Sequence, residues 1–214
     1  MDFAKARIEM IEEQILRRGL RDPSVIAAMA AVPREAFVPL DLAEDAYQDC
    51  ALPIAEGQTI SQPYIVAAML AGAQLEAGDR VLEVGVGSGY AAAVISRIAA
   101  QVYGIERNDT LAKAAGVRLE ALGYANIELA TGDGSGGWPG AAPFDAIIVS
   151  AGGPRVPEAL KRQLADGGRL VMPVGPPGDQ RLLRLIRHGG EFDQDDLGGV
   201  RFVALIGEEG WQDA

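Results

Sequence analysis

The chain has 214 residues, 49% of them apolar, with 19 basic against 30 acidic side chains, one histidine and one cysteine. That length suits a single domain with a substantial core, and a net charge of −11 repels a phosphate backbone without forbidding a small anionic ligand. No apolar run approaches the roughly 18 residues of a membrane span, and one histidine with one cysteine excludes zinc sites, internal disulfides and Cys–His nucleophile pairs.

In chain order, "FAKARIEMIEEQILRR" predicts a helix over residues 3–18, with Ile8, Ile11 and Ile15 at helical spacing and Gly19 as the stop. The opening residues lack the apolar core of a signal peptide, and the lone cysteine suits a reducing cytosol. A cytoplasmic location is therefore expected. "DPSVIAAMAAVP" offers Asp22 as N-cap, Pro23 at the first helical position and Pro33 as terminator. Cys50 is expected to be buried and structural. These elements form an N-terminal helical cap over residues 1–77, within one 1–214 domain.

From residue 78 the texture changes. "RVLEVG", "QVYGIE", "IELATG", "FDAIIVSA" and "GRLVMPVG" are short branched-apolar runs, separated by helical patterns in "SGYAAAVISRIAA", "TLAKAAGVRLEALG" and "PEALKRQLADGG". Alternation at this spacing means an α/β fold, a doubly wound and mostly parallel sheet with helices on both faces. "RLLRLIR" and "VRFVALIG" are expected to close it as an antiparallel pair of strands. The acidic "HGGEFDQDDLGG" between them reads as a solvated loop, and His188 at its start is poorly placed for a catalytic base.

"VLEVGVGSGY" sets Gly85, Gly87 and Gly89, with Ser88 among them, between the first long strand and a helix. Such a loop lets a ligand approach the backbone at a helix N-terminus. Spacing does not decide which ligand. Read from Gly85, the dinucleotide pattern fails at Tyr90; read from Gly87, "GSGYAA" passes a relaxed version. Glu83, two residues before the first glycine, argues more. A carboxylate there is awkward beside a pyrophosphate and favourable beside the sulfonium and ammonium of S-adenosylmethionine, at roughly 4 kcal/mol before desolvation for charges about 4 Å apart. Glu106 ends the second strand, where it can accept both ribose hydroxyls. Asp133 follows the third, within reach of an adenine amino group, with Gly134 leaving room for the ring. Each could be an ordinary strand-end acid. Three at successive strand ends point to a methyl-donor site.

At this point the sequence resembles the protein-L-isoaspartate O-methyltransferases. The likeness rests on "RRGLRDPSVIAAMAAVPREAFVP", "GQTISQPYIVAAM", "VLEVGVGSGYAAAV", "VYGIER", "LGYANIELATGDGSGGW", "PFDAIIVSAGG", "QLADGGRLVMPVG" and "VRFVALIG", in order over nearly the whole chain. It implies a seven-stranded Rossmann-like fold and methyl transfer from S-adenosylmethionine to the free α-carboxylate of L-isoaspartyl residues in damaged proteins and peptides. The ester then closes to a succinimide whose hydrolysis partly restores the normal linkage. On the matched positions, Ser61 is the catalytic residue. Glu83, the glycine loop (Gly85, Gly87, Ser88, Gly89), Glu106, Asp133 and Gly134 hold the cofactor. Beside them, Thr59 and Ser61 are candidates for the cofactor, and Ile60, Ser61, Gln62 and Arg201 for the acceptor. No metal is implied. Neither nucleic acid nor membrane is an expected partner, and the chain is expected to work as a monomer.

The string "TISQP" has a physical reading beside the resemblance. Ser61 or Gln62 can cap the helix that begins near Pro63, and the same geometry offers N–H groups and hydroxyls to a carboxylate. An acid with a solution pKa near 3.5 is already ionised at neutral pH and needs no general base. It needs alignment, which can supply on the order of 7 to 11 kcal/mol of the barrier. Arg201 could neutralise the acceptor or simply decorate a strand face. Against the family's usual pattern, Val86 stands for threonine, Tyr64 for histidine, Gly152 and Gly153 for an alanine-rich run, and Ala204 for proline. Rival readings are a methyltransferase for RNA or a small molecule, a cofactor-binding module without catalysis, and a nicotinamide dehydrogenase.

Overall fold

A computed structural model describes residues 2–212; Met1 and residues 213–214, the ends of the expected domain, lie outside them. Helix α1, Phe3–Met10, is capped by the Asp2 carboxylate and runs into a π-helical turn, Ile11–Leu16. Ile11 and Ile15 are buried as expected, but Ile8 is 57% exposed. The inward face also takes in Phe3, Arg7, Met10 and Gln14. Arg7 donates to the Tyr47 hydroxyl and to Glu35, and Gln14 donates to the Tyr47 carbonyl. Hydrogen bonds from Arg7 and Gln14 thus add polar residues to a face that apolar spacing places correctly at Ile11 and Ile15 but not at Ile8. Helix α2, Pro23–Ala31, starts with the Asp22 carboxylate accepting from the N–H groups of Ser24 and Val25, and Pro33 leads into a 3-10 turn at Arg34–Phe37.

Two short strands, β1 (Leu52–Pro53) and β2 (Thr59–Ile60), pair antiparallel and deliver the chain to helix α3, Pro63–Ala73. Cys50, just before β1, is exposed rather than buried. It stands in a short exposed stretch, residues 48–51, between the buried Tyr47 and Leu52.

The main sheet comprises β3 (Arg80–Val84), β4 (Gln101–Glu106), β5 (Ile127–Thr131), β6 (Phe144–Val149), β7 (Leu164–Val174), β8 (Gln180–His188) and β9 (Glu191–Val200). Their order is β5-β4-β3-β6-β7-β8-β9, the first five parallel and the last two antiparallel. Helices α4 (Tyr90–Ile95), α5 (Asp109–Ala121) and α6 (Glu158–Gln163) connect the parallel strands. β3 and β6 are buried on both faces, as a covered parallel sheet requires. One continuous cluster of buried side chains joins Ile15, Met29 and Phe37 of the cap to Val81, Tyr90 and Ile148 of the sheet region. Arg169 of β7 donates to the carbonyls of Ala73 and Gln74 at the end of α3 and pairs with Asp79 at 2.6 Å, satisfying carbonyls the helix leaves open.

The final strand differs from the sequence reading. The acidic segment expected to be a loop is β9 itself, and "VRFVALIG" leaves the sheet, making only bridges at Ala204 and Ile206. The cause is a two-residue turn at Gly189–Gly190, with Gly189 at φ +61°, which returns the chain directly beside β8. Arg181 and Arg184 of β8 then meet Asp196 and Asp195 of β9. Cross-strand charge pairs let a polar sequence hold an edge.

Candidate active site

The C-terminal ends of β3, β4 and β6 open onto a cleft of about 350 Å³. Its floor is the glycine loop between β3 and α4. Gly85, Gly87 and Gly89 all have positive φ, which a side chain would strain. The reason is clearest at Gly87, whose left-handed turn aims its N–H at Oε2 of Glu106 (2.9 Å). The other Glu106 oxygen accepts from the Asn108 N–H at 2.9 Å. Glu106 therefore ties the loop to the end of β4 while facing the cleft. Gly134 closes the floor. A Cβ there would stand 2.4 Å from Val84, so only glycine lets the turn after β5 lie flat against the sheet.

Glu83 lies at the end of β3, 1% exposed, with Oε2 buried and without a hydrogen-bond partner among the described residues. Burial, and next the Glu106 charge, push its carboxyl well above the usual carboxylate range; Ser150 and the Ala92 backbone temper the shift. Glu83, Ser61, Ser88 and Ile60 share a narrow cavity that joins the first cleft to a second, of about 530 Å³. Thr59 and Ser150 line all three spaces. The second cleft has Thr59, Ser61 and Gln62 on one wall and Gly178–Gln180 with Arg201 on the other.

Most of the sequence-derived residues thus converge, with three differences. Neither Ser61 nor Gln62 caps α3 with its side chain. The Gln62 amide turns away to donate to Asp49 (2.7 Å), while the Ser61 hydroxyl has no protein partner among the described residues and stays available to a ligand. Asp133 is not on the wall of the cleft. Its carboxylate accepts from the N–H and hydroxyl of Ser135 and from the Glu208 N–H. Burial would raise its pKa, but those bonds, with the Arg107 charge, outweigh burial and hold it below the usual range. Arg201 decorates no strand, since β9 ends at Val200; it projects from the wall of the second cleft and donates to the Gly178 carbonyl at 3.2 Å.

Two features escaped the sequence reading. Ser150 carries no motif; its only signal is a polar residue directly after β6, beside the strand of Glu83. The other is the segment Val203–Ile206, the outer wall of the first cleft. Its apolar residues suggest a strand, but Gln180 holds it out of the sheet by accepting from the Phe202 N–H (2.7 Å) and donating to the Phe202 carbonyl (3.2 Å). Gly152 explains why this is compatible with the chain, because a Cβ there would stand 2.2 Å from the Gln180 amide. The other departures have local accommodations. Tyr64 stacks under Arg18 at 3.4 Å, and Val86 fills the space against Gly104.

A family model described as protein-L-isoaspartate(D-aspartate) O-methyltransferase matches residues 5–210. The chain belongs to this family. It is 59% identical over 202 residues to a protein-L-isoaspartate O-methyltransferase of Methylorubrum populi, covering 94% of this chain and 95% of that one. With a protein of the same name from Brucella anthropi it shares 54% over 214 residues, covering 99% and 98%. Among solved structures, a Plasmodium falciparum family member in complex with S-adenosyl-L-homocysteine superposes with a TM-score of 0.82 at 27% identity, covering 94% of this chain and 98% of that one. The seven-stranded sheet and its helices are the family's fold.

Proposed function

We propose that this family member transfers a methyl group from S-adenosylmethionine to the free α-carboxylate of L-isoaspartyl residues in damaged proteins and peptides, the first step of their repair. One observation carries the reading: a buried carboxylate with an unpaired oxygen and a free serine hydroxyl share the passage between two clefts. Glu83 fits the donor, because a buried carboxylate with one oxygen left unpaired is stabilised by a cationic ligand. Glu106 faces the ribose side, the glycine loop lies under the amino-acid portion, and Gly134 leaves room for the adenine. Bound there, S-adenosylmethionine supplies an electrophilic methyl group on a positive sulfur.

The chain's own contribution is orientation and exclusion of water. Ser61 holds the acceptor carboxylate at the start of α3, where the helix dipole favours an anion, with Thr59 between it and the donor. Ile60, 4% exposed, closes the passage from below. Arg201 attracts the acceptor from the rim. The acceptor is already ionised, so no side chain takes a proton, consistent with a site whose clefts contain no histidine. A cytoplasmic setting suits the exposed free thiol of Cys50. The charged edge of β9 suits a monomer, because it discourages strand pairing between copies.

The deciding test is labelled methyl transfer to two peptides that differ only in an isoaspartyl or aspartyl linkage. Labelling of the isoaspartyl peptide alone is expected. Labelling of neither, with S-adenosyl-L-homocysteine still bound, would leave the donor site standing and remove the assigned acceptor.

A further inference from the structure

Arg34 is a buried charge that the mechanism above does not use. It follows Pro33, which ends α2, and its side chain is fully buried. Nε donates to the Ala46 carbonyl at 2.6 Å, and one terminal nitrogen donates to the Ser61 carbonyl at 2.8 Å. The guanidinium carbon sits 4.7 Å from the centre of the Tyr90 ring, the residue that opens α4 directly after the glycine loop. Among the described residues the second terminal nitrogen has no hydrogen bond of good geometry, its polar neighbour being Tyr90, and no carboxylate pairs with this cation. Burying an unpaired guanidinium is costly, and a well-packed apolar residue commonly gives a more stable interior. A guanidinium placed so needs a reason other than stability.

Its contacts supply one. Ser61 stands between β2, only two residues long, and the proline that starts α3, so little sheet pairing fixes it. Arg34 grips its carbonyl. The same planar group lies on the aromatic ring at the head of the donor loop, and Tyr90 and Ser61 both line the passage between the clefts. One rigid fork thus ties the residue facing the acceptor to the loop under the methyl donor. Lysine could keep the charge but not the two-armed geometry or the flat stacking face.

We infer that Arg34 is a positioning residue for methyl transfer, setting the Ser61 backbone against the glycine loop so that acceptor and donor meet in line. The inference rests on the function proposed above and deepens it. Misplacement by about 1 Å in an oriented reaction costs on the order of 100-fold, and the loss belongs in kcat, because the groups that bind each ligand remain.

The test compares wild type, Arg34→Lys and Arg34→Met for kcat and KM with an isoaspartyl peptide, and for S-adenosyl-L-homocysteine affinity by calorimetry. Arg34→Met is expected to lose on the order of 100-fold in kcat, with KM and S-adenosyl-L-homocysteine affinity each held within about threefold. Arg34→Lys, which keeps the charge if the methionine variant does not fold, is expected to recover only part of kcat. Wild-type kcat in Arg34→Lys would overturn the inference. So would a loss of S-adenosyl-L-homocysteine affinity in proportion to kcat, since that is the signature of a merely structural residue. Failure of the wild-type enzyme on the isoaspartyl peptide would instead count against the proposed acceptor, so the two failures are distinct.

Discussion

The proposed donor and acceptor clefts meet at one passage but are built on opposite plans. The donor side sits on the ends of parallel strands, where Glu83 and Glu106 are 1% and 9% exposed and the backbone around them is fixed by the sheet. The acceptor side is assembled from a two-residue strand, a helix start and the chain just after β9; Thr59 and Arg201 are exposed. Strand ends give the donor site its precision directly. The acceptor site has to borrow its own, from Arg34 behind Ser61 and from Gln180 behind the Phe202 segment. Part of the outer wall of the acceptor side, residues 201–203, thus belongs to no regular element, unlike the strand ends of the donor side.

This contrast can be tested by substitution on either side. Glu83→Gln should have the largest effect, a loss on the order of 100-fold in S-adenosyl-L-homocysteine affinity, or about 2.8 kcal/mol. It should also stabilise the ligand-free protein at neutral pH. Burial, then Glu106, raise the folded-state pKa of Glu83. The native state therefore keeps the proton where the unfolded chain has lost it, and this group's contribution to stability, present below the ordinary carboxylate pKa, is lost as pH rises through the raised value. Thermal melts of wild type and Glu83→Gln, followed from the ordinary carboxylate pKa upward through neutral pH, should show a decline in the first that is weaker in the second. Equal melts and equal affinity would remove Glu83 from the donor site.

On the acceptor side, Ser61→Ala should lower kcat by roughly 10- to 100-fold with S-adenosyl-L-homocysteine affinity retained, a loss of orientation alone. Full activity in that variant would assign the acceptor contact to Ser150 or the backbone. Smallest is Arg201→Gln. A rim cation acts mainly on encounter, so KM should rise about threefold, with the difference fading as salt shortens the screening length below about 8 Å. A salt-independent effect would mean that Arg201 makes a close contact with the acceptor.

The same contrast explains how much the sequence disclosed. Strands, helices and strand-end acids of the donor side follow from alternation and from where a parallel sheet places its loops, so Glu83, Glu106 and the glycine loop could be placed before the structure was known. Asp133 was located but not its engagement, because the Glu208 N–H that occupies it comes from 75 residues away. Val203–Ile206 read as a strand because its residues are apolar, and local pattern cannot register that Gln180 holds the segment off the sheet. Ile8 and Cys50 failed for a related reason. Which face of α1 turns inward, and whether residue 50 meets the core, are decided by Arg7, Tyr47 and the course of the rim, none of them a periodic signal.

The outer wall of the donor cleft has one more consequence. The Trp211 indole donates to the Gly152 carbonyl, the Glu209 N–H to the Ser135 hydroxyl, and the Glu209 carboxylate accepts from the first N–H groups of α6. These bonds hold Val203–Ile206 against a floor laid down about 120 residues earlier, beginning at Gly85. The glycine loop and the strands around it can collapse together early, but the proposed donor pocket gains its outer wall only when Val203–Ile206 docks on that floor. Cofactor binding should therefore report on the docking of that segment, not on formation of the parallel sheet alone, whose stability comes from the core described above.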